Sequence, residues 1–187
     1  MSAEPLCRCA WVPVNDAVYC AYHDTEWGVA VYDDHRMYEM FLLETFQAGL
    51  SWITILKKRE NFRKAFDDFD PEKIARYDGE KIALLLSDPG IIRCRRKIEA
   101  AIENANVVLT LQKEFGSFAN YLWHFTKGRI VRNGEERPPV KTELSDRISE
   151  DLIRRGMHYV GSVTIYSFLQ AVGIVNDHEP QCFRHEK

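Results

Sequence analysis

Apolar residues recur at helical spacing along most of the chain. Between residues 34 and 47 they fall at positions 37, 40, 41, 43 and 46, which share one face of a helix with 3.6 residues per turn. Asp33 or Asp34 can serve as the N-cap of this helix. Ser51 can cap a second helix that extends to about residue 66, with basic residues on its outer face at positions 57, 58 and 59. The pattern therefore predicts two successive helices joined by a tight turn.

Further helices are predicted after this pair. A short one begins at residues 70 and 71. Five more span residues 79–86, 95–115, 117–125, 145–155 and 162–172. The turn at Gly90 separates the helix at 79–86 from the helix at 95–115, which predicts a helix-turn-helix hairpin. Residues 126–142 are polar and interrupted by glycine and proline, which indicates a surface loop or a short hairpin. The predicted fold class is all-α, with at most one minor pair of strands.

Composition and charge limit the function more than the fold. A chain of 187 residues that is 45% hydrophobic can bury one core, so we expect a single unit. The formal net charge of −3 gives no general attraction for nucleic acid, so binding to DNA would need a local basic patch. The amino-terminal residues resemble neither a secretion signal nor a membrane span, and the expected location is the cytoplasm.

Five cysteines indicate metal binding or free thiols, because an odd number in a chain of this size argues against disulfides. Two thiols and two imidazoles near the chain ends could saturate a tetrahedral, structural zinc ion: Cys9, His23, His178 and Cys182. From spacing alone the four residues could equally be unrelated, and Cys7 could replace Cys9. Cys20 and Cys94 are expected to be small buried residues.

An acidic residue interrupts the apolar face of the first predicted helix. Glu44 lies between Leu43 and Phe46, where a solvated carboxylate does not fit the pattern. The neighbouring sequence is rich in aromatic residues, namely Trp11, Tyr19, Tyr22, Trp27, Tyr32, Phe41, Phe46 and Trp52. Glu44 could meet an internal cation or amide within this core. Alternatively, it lies in an aromatic cavity and binds a ligand with positive charge or hydrogen-bond donors.

Basic residues cluster directly after the turn at Gly90. Four cations fall within five residues, at Arg93, Arg95, Arg96 and Lys97. The exposed amides of a glycine turn at the start of a helix bind phosphate, and the cations would add attraction for a nucleic-acid backbone. The simpler interpretation is a solvated helix face.

Four segments of the sequence resemble the 3-methyladenine-DNA glycosylase I family. They are residues 9–11, 22–28, 47–60 and 173–178, with the sequences CAW, YHDTEWG, QAGLSWITILKKRE and GIVNDH. The resemblance extends from Cys9 to Cys182 in the family's order and spacing. The chain differs in its extra residues before Cys9 and in a tail that lacks the additional cysteines of some relatives.

The resemblance implies a helix-hairpin-helix DNA glycosylase fold with two helical lobes. Residues 34–125 would carry the hairpin, and the segments 1–33 and 143–187 would be joined by one structural zinc ion per chain on Cys9, His23, His178 and Cys182. The implied DNA contacts are the backbone grip of Gly90, Arg93, Arg95 and Lys97, and a wedge at Leu50 beside Gly49.

The resemblance also implies that a damaged base is flipped into a pocket. Glu44 and Tyr22 would form hydrogen bonds with this base, within an aromatic wall of Trp52, Trp11, Tyr19 and Trp27. The implied activity is hydrolysis of the N-glycosidic bond of 3-methyladenine in alkylated double-stranded DNA, with free 3-methyladenine as product. We expect a monomer with no membrane partner, and no strand cleavage, because no lysine can be placed as a nucleophile toward the sugar.

Two other functions fit parts of the sequence. A zinc-stabilised DNA-binding module would use the hairpin alone and would leave an inward Glu44 unexplained. A zinc hydrolase would need an ion with three protein ligands and an open coordination position. Base release from methylated DNA distinguishes the glycosylase from the first alternative, and metal stoichiometry with Cys182→Ala tests the second.

Overall fold

Helices form most of the described chain, which comprises residues 6–132 and 138–185 of a computed structural model. In chain order they are α1 (Ala17–Thr25), α2 (Asp34–Gln47), α3 (Trp52–Ala65), α4 (Pro71–Ile74), α5 (Gly79–Ser87), α6 (Arg95–Phe115), α7 (Phe118–His124), α8 (Glu143–Arg154) and α9 (Ser162–Ala171). A short 3-10 turn, Asp67–Phe69, separates α3 from α4. Across the described ranges, the sole strand-like contact is a parallel bridge between Val131 and Val175. The all-helical prediction is confirmed.

Helix α2 lies at the centre of the fold. Every residue from position 37 to position 46 is buried, and α3, α6, α7 and α9 pack around the helix. A helix covered on all sides belongs to a core. The N-cap is Asp33, whose carboxylate accepts a hydrogen bond from the amide of Arg36 at 2.8 Å. Asp34 instead accepts hydrogen bonds from Gln112 and from the amide of Ala119.

Helix α3 follows the predicted tight turn but differs from expectation in two details. The hydroxyl of Ser51 does not cap the backbone and lies 2.8 Å from the hydroxyl of Thr54. Arg59, predicted on the outer face, is mostly buried and pairs with Glu26 and Glu39, each at 2.8 Å. The buried carboxylate of Glu39 needs such cations. Besides Arg36 on the same helix, its partners come from α3, which a local pattern cannot identify.

Helix α1 is the element that the sequence pattern missed. Asp16 is its N-cap and accepts hydrogen bonds from the amides of Val18 and Tyr19. The signals that could have revealed it are this aspartate and the spacing of Tyr19, Tyr22 and His23, which share one helix face. The helix is short and its apolar character is weak, so packing rather than propensity determines it.

The other helices agree with the predicted ranges to within two residues. The largest difference is at α8, which begins at Glu143 because Thr142 and Ser145 form a capping box there. Of the predicted loop at 126–142, residues 133–137 lie outside the described ranges, and the rest shows no hairpin. None of the described helices is long and apolar enough to cross a membrane.

The turn between α5 and α6 is closely packed. A Cβ atom at Gly90 would lie 2.9 Å from the carboxylate of Asp88 and 3.0 Å from the side chain of Asn61. The amide of Gly90 donates a hydrogen bond to Asp88 at 2.7 Å, so it is engaged within the turn. Glycine is favoured here because a Cβ atom would have to displace these neighbouring side chains.

Backbone contacts bring the two ends of the described chain together. The amide of Phe183 donates to the carbonyl of Cys7 at 2.9 Å, and the amide of Val31 donates to the carbonyl of Val172 at 3.0 Å. Gly173 has φ +67°, and a Cβ atom there would lie 2.3 Å from backbone of the 29–30 segment. A glycine at this position lets the chain after α9 pass directly against the chain after α1.

Candidate active site and the cysteine and histidine cluster

A cavity of about 240 Å³ lies between α1, α2, α3 and α9. Its walls combine aromatic rings with a few polar groups, contributed by Trp11, Tyr19, Tyr22, Trp27, Glu44, Gln47, Trp52, Pro138, Ser167 and Gln170. All six residues that the sequence analysis assigned to a base pocket therefore line one cavity. Small-molecule sites in proteins are concave, mostly apolar and equipped with a few placed polar groups.

The aromatic side chains support one another around the cavity. The ring of Trp11 lies edge-on to Trp27 at 4.9 Å and to Tyr19 at 5.6 Å between centroids. The rings of Tyr22 and Trp52 are 5.4 Å apart. Such contacts hold rings in defined orientations, so the cavity presents preformed flat surfaces.

Glu44 points away from bulk solvent and is only 4% exposed. Burial raises the pKa of its carboxyl group to about 8. No hydrogen bond or ion pair to Glu44 occurs in the part of the chain that the structure describes. Burial, with a contribution from Glu44, also holds the pKa of the Tyr22 hydroxyl well above its usual range. The cavity thus contains an acidic group that no cation of the described residues satisfies.

Three polar residues of the cavity were missed by the sequence analysis: Gln47, Ser167 and Gln170. The side-chain amide of Gln170 donates to Asp177 at 2.8 Å. The NH2 group of Gln170 is used in this contact, which leaves the side-chain carbonyl oxygen as an acceptor. No periodic signal could have indicated this residue, since the orientation depends on a carboxylate beyond the end of α9.

The turn between α2 and α3 places an apolar side chain at the surface next to the cavity. Leu50 is 37% exposed, although it is a large hydrophobic residue. Gly49 has φ +80° and open space around it. Gln47 ties the turn together, because its side-chain amide donates to the carbonyl of Leu50 at 2.7 Å and its own carbonyl accepts from the Leu50 amide at 2.7 Å.

The hairpin between α5 and α6 exposes part of the expected basic patch. Arg93 and Arg95 are exposed, and α6 has no side-chain cap at its start. The amides of residues 92, 93, 95 and 96 have no partner in the described ranges. Lys97 is a correction to the expected DNA contacts: it is buried, and its ammonium group donates to two backbone carbonyls of the protein. It is not available to a phosphate.

A second group of polar side chains lies buried beside the aromatic cavity. The ligand atoms of Cys9, His23, His178 and Cys182 all lie within 4.8 Å of one another. The Sγ–N distances are 3.5 Å from Cys9 to His178, 3.4 Å from Cys182 to His23 and 3.5 Å from Cys182 to His178. The four residues are therefore related in space, and together they could hold a metal ion.

The surroundings of this cluster orient its ligands. Asp24 lies 2.9 Å from Nδ1 of His23, and the carbonyl of Trp27 lies 3.0 Å from Nε2 of His178. Burial lowers the pKa of His178 to about 4, which leaves the imidazole neutral. Burial also raises the pKa of the Cys9 thiol to about 12. Hydrogen bonds to the outer nitrogens leave the inner nitrogens directed at the cluster centre.

The other cysteines lie outside this cluster. Cys7 is exposed and is not among the four grouped residues, so it does not replace Cys9. Cys20 and Cys94 are half-buried rather than fully buried. The choice between Cys7 and Cys9 depends on which thiol faces inward, and spacing alone does not determine that.

The chain is similar to methyladenine glycosylases over nearly its whole length. The sequence model of the methyladenine glycosylase family matches residues 11–185. DNA-3-methyladenine glycosylase 1 of Escherichia coli (strain K12) is 44% identical over 178 residues, which cover 94% of this chain and 95% of that protein.

Solved structures show the same relationship. A crystal structure of 3-methyladenine DNA glycosylase I superposes with a TM-score of 0.92 at 46% identity, covering 96% of this chain and 100% of that one. A variant of 3-methyladenine DNA glycosylase I in complex with 3-methyladenine also superposes with a TM-score of 0.92, at 35% identity and with 96% and 98% coverage. The chain is therefore a glycosylase enzyme and belongs to the methyladenine glycosylase family.

Proposed function

We propose that this protein removes 3-methyladenine from alkylated duplex DNA by hydrolysing the N-glycosidic bond of a flipped nucleotide. The observation that carries the proposal is the buried carboxylate of Glu44, which has no partner in the described residues and lies in an aromatic cavity. A relative with this fold binds 3-methyladenine. The cavity volume of about 240 Å³ is below the range for drug-sized ligands, as expected for a single base.

Charge provides the selectivity of this site. Methylation at N3 makes adenine cationic in DNA, and a cation beside a buried carboxylate favours the ionised acid. The raised pKa of Glu44 means that the empty site holds a neutral acid near neutral pH. A cationic purine recovers the cost of ionising it, whereas a neutral adenine does not. Glu44 therefore discriminates the damaged base from its unmodified counterpart.

The remaining cavity residues bind and orient the base. The indole of Trp52 and the ring of Tyr22 offer stacking faces, and the Tyr22 hydroxyl offers a hydrogen bond. The carbonyl oxygen of Gln170 offers an acceptor for the exocyclic amine of adenine, which guanine lacks at that position. Tyr19, Trp11 and Trp27 exclude water from the base.

The substrate supplies much of the reactivity. The N-glycosidic electron pair moves onto the cationic base, which leaves as a neutral molecule. Water then adds to the carbon of the resulting sugar cation and releases a proton to the solvent. Little acid catalysis is needed, so the main tasks of the enzyme are eversion of the nucleotide and recognition. No lysine lines the described part of the cavity, which supports base removal without strand cleavage.

Two surfaces next to the cavity are suited to bind duplex DNA. The exposed Leu50, beside Gly49 and the open space around it, can fill the stack from which a nucleotide has left. The hairpin at Gly90 presents the free amides at the start of α6 and the side chains of Arg93 and Arg95, which suit a phosphate. We assign this hairpin to the helix-hairpin-helix type.

We further propose that the cysteine and histidine cluster binds one structural zinc ion. A tetrahedral zinc with bonds of about 2.3 Å to sulfur and about 2.05 Å to nitrogen has a sulfur–nitrogen edge of roughly 3.6 Å. The three measured edges are 3.4–3.5 Å. Amides of Glu179 and Arg184 also point at the two sulfur atoms at 3.4 Å. Four protein ligands fill the coordination sphere, so the ion would join the chain ends rather than activate water.

Base release from methylated DNA tests the proposal. Purified protein is incubated with duplex DNA treated with a methylating agent, and the released bases are separated by chromatography. We expect free 3-methyladenine, intact strands, and no release from unmethylated duplex. Release of a different base, strand cleavage at neutral pH, or folded protein that binds the DNA and releases nothing would contradict the proposal.

A further inference from the structure

Lys97 differs from the other basic residues of its run because it faces the protein interior. It is only 9% exposed, whereas Arg93, Arg95 and Arg96 are exposed. Its Nζ atom donates to the carbonyl of Phe46 at 2.7 Å and to the carbonyl of Ala48 at 2.6 Å. Burying an ammonium group costs free energy unless hydrogen bonds replace water. The position of Lys97 is therefore defined by these two carbonyls.

The two carbonyls are at the carboxyl end of α2. Such carbonyls have no partner within their own helix and carry partial negative charge. Helix α2 has no basic residue in its own last turn, so α6 supplies the cation from a position about fifty residues further along the chain. The ring of Tyr159, with its centroid 5.7 Å from Nζ, closes another side of the ammonium group.

This contact joins the two surfaces that we propose to bind DNA. On one side, Lys97 lies in the first turn of α6, directly after the hairpin at Gly90. On the other side, Ala48 leads directly to Gly49 and Leu50. Outside this contact, a more exposed hydrogen bond from Lys58 to the carbonyl of Pro89 at 2.8 Å also connects α3 with the hairpin. Side-chain hydrogen bonds thus set the spacing between the Leu50 tip and the hairpin.

We propose that Lys97 is a positioning residue for base eversion, which holds the Leu50 tip at a fixed distance from the hairpin that grips the DNA backbone. With this spacing, the wedge enters the stack at the nucleotide whose phosphates the hairpin holds. The inference rests on the proposed glycosylase function. Because Lys97 does not line the cavity, binding of the free base should not depend on it, whereas small misplacements of catalytic parts reduce rates strongly.

The test is the substitution Lys97→Met, which keeps the buried stem and removes the charge and the donors. Three quantities are measured: single-turnover release of 3-methyladenine from alkylated duplex DNA, fluorescence of 2-aminopurine placed beside an abasic analogue, and calorimetric affinity for free 3-methyladenine. We expect release to fall by about 10- to 100-fold and the 2-aminopurine signal to disappear. Affinity for the free base should change by less than about twofold, as for independent distant sites.

Lys113→Met is the matched control, because Lys113 is exposed on the same helix and far from the hairpin. It should leave all three quantities unchanged. If Lys97→Met does not fold, Lys97→Arg displaces the donors while keeping the charge. Release from DNA should then fall by a smaller factor, and affinity for the free base should again stay unchanged.

The outcomes separate this inference from the proposed function. A parallel loss of release and of free-base affinity would show general destabilisation and overturn the positioning role. Wild-type rates in the folded Lys97 variants would also overturn it, while the glycosylase proposal would stand. If the wild-type protein releases no base from alkylated DNA, both proposals fail.

Discussion

The cysteine and histidine cluster and the aromatic cavity lie side by side, and they differ in how far their polar groups are satisfied. In the cluster, each ligand atom lies close to the others and the outer nitrogens of both histidines have partners. In the cavity, Glu44 has no partner among the described residues and adjoins open space. Trp27 belongs to both regions, since it lines the cavity and its ring lies 4.6 Å from that of His178.

This difference separates a structural site from a recognition site. Groups that converge on one point and already have outer partners can be completed by one small ion, and no further ligand is needed. A buried carboxyl group with no cation beside it stays protonated near neutral pH, and a cationic ligand would favour its ionisation. The comparison therefore predicts a role in stability for the cluster and in selectivity for the cavity, and three measurements on two substitutions test this prediction.

The largest effect is expected from Cys182→Ala, which removes one of four ligands from the cluster. Loss of a structural metal is among the few changes that reduce the free energy of unfolding by about 4 kcal/mol or more. Denaturant unfolding and metal content measured on the same samples check this prediction. Cys20→Ala is the control, since Cys20 lies outside the cluster. A stable Cys182→Ala protein with an unchanged metal content would remove the structural role.

The second effect is the pH dependence of the free energy of unfolding, compared between wild type and Glu44→Gln. The pKa of Glu44 is about 8 in the folded protein and 4.5 in its ordinary state. Between these values the folded chain keeps a proton that the unfolded chain has released, so wild-type stability falls as pH rises through this window. Glu44→Gln has no such loss. Above pH 8 it should be more stable than wild type by roughly 3 to 5 kcal/mol, and below pH 4.5 the difference should vanish.

Unfolding curves at several pH values measure this difference directly. Glu72→Gln, at an exposed position on α4, is the control for loss of a carboxylate and should follow the wild-type profile. Parallel profiles for wild type and Glu44→Gln would mean that Glu44 is solvated or paired, and the cavity would lose its unsatisfied acid.

The smallest of the three effects is on ligand binding. Glu44→Gln, which should stabilise the empty protein, should weaken its complex with the base. Glu44→Gln should weaken binding of free 3-methyladenine by about 1–3 kcal/mol, because an NH2 donor replaces one oxygen of the carboxyl group and a buried hydrogen bond to the base is lost. Isothermal titration calorimetry with Glu72→Gln as control measures it. A substitution that stabilises the empty protein and weakens the complex is the signature of a recognition group. Unchanged affinity would exclude Glu44 from base recognition.

Local sequence patterns are sufficient for most helices and for Glu44, whereas the membership of both sites follows from the family resemblance. Periodicity and caps act within a few residues, so α2 and α6 were predicted with their bounds, while the short and weakly apolar α1 was missed. Glu44 was recognisable because an acidic residue on an apolar face violates the pattern. The grouping of His23 with His178 needed the family resemblance, since spacing alone left unrelated residues as an equal alternative.

By itself the sequence determined the helical class, the acid on the central helix and the set of metal-ligand residue types. Only the tertiary structure decided that Lys97 turns inward, that Cys9 rather than Cys7 joins the cluster, and that Gln170 lines the cavity. The physical reason is one of range. Helix formation depends on neighbours within one or two turns, whereas the direction and partner of a polar side chain depend on groups that packing brings from distant parts of the chain.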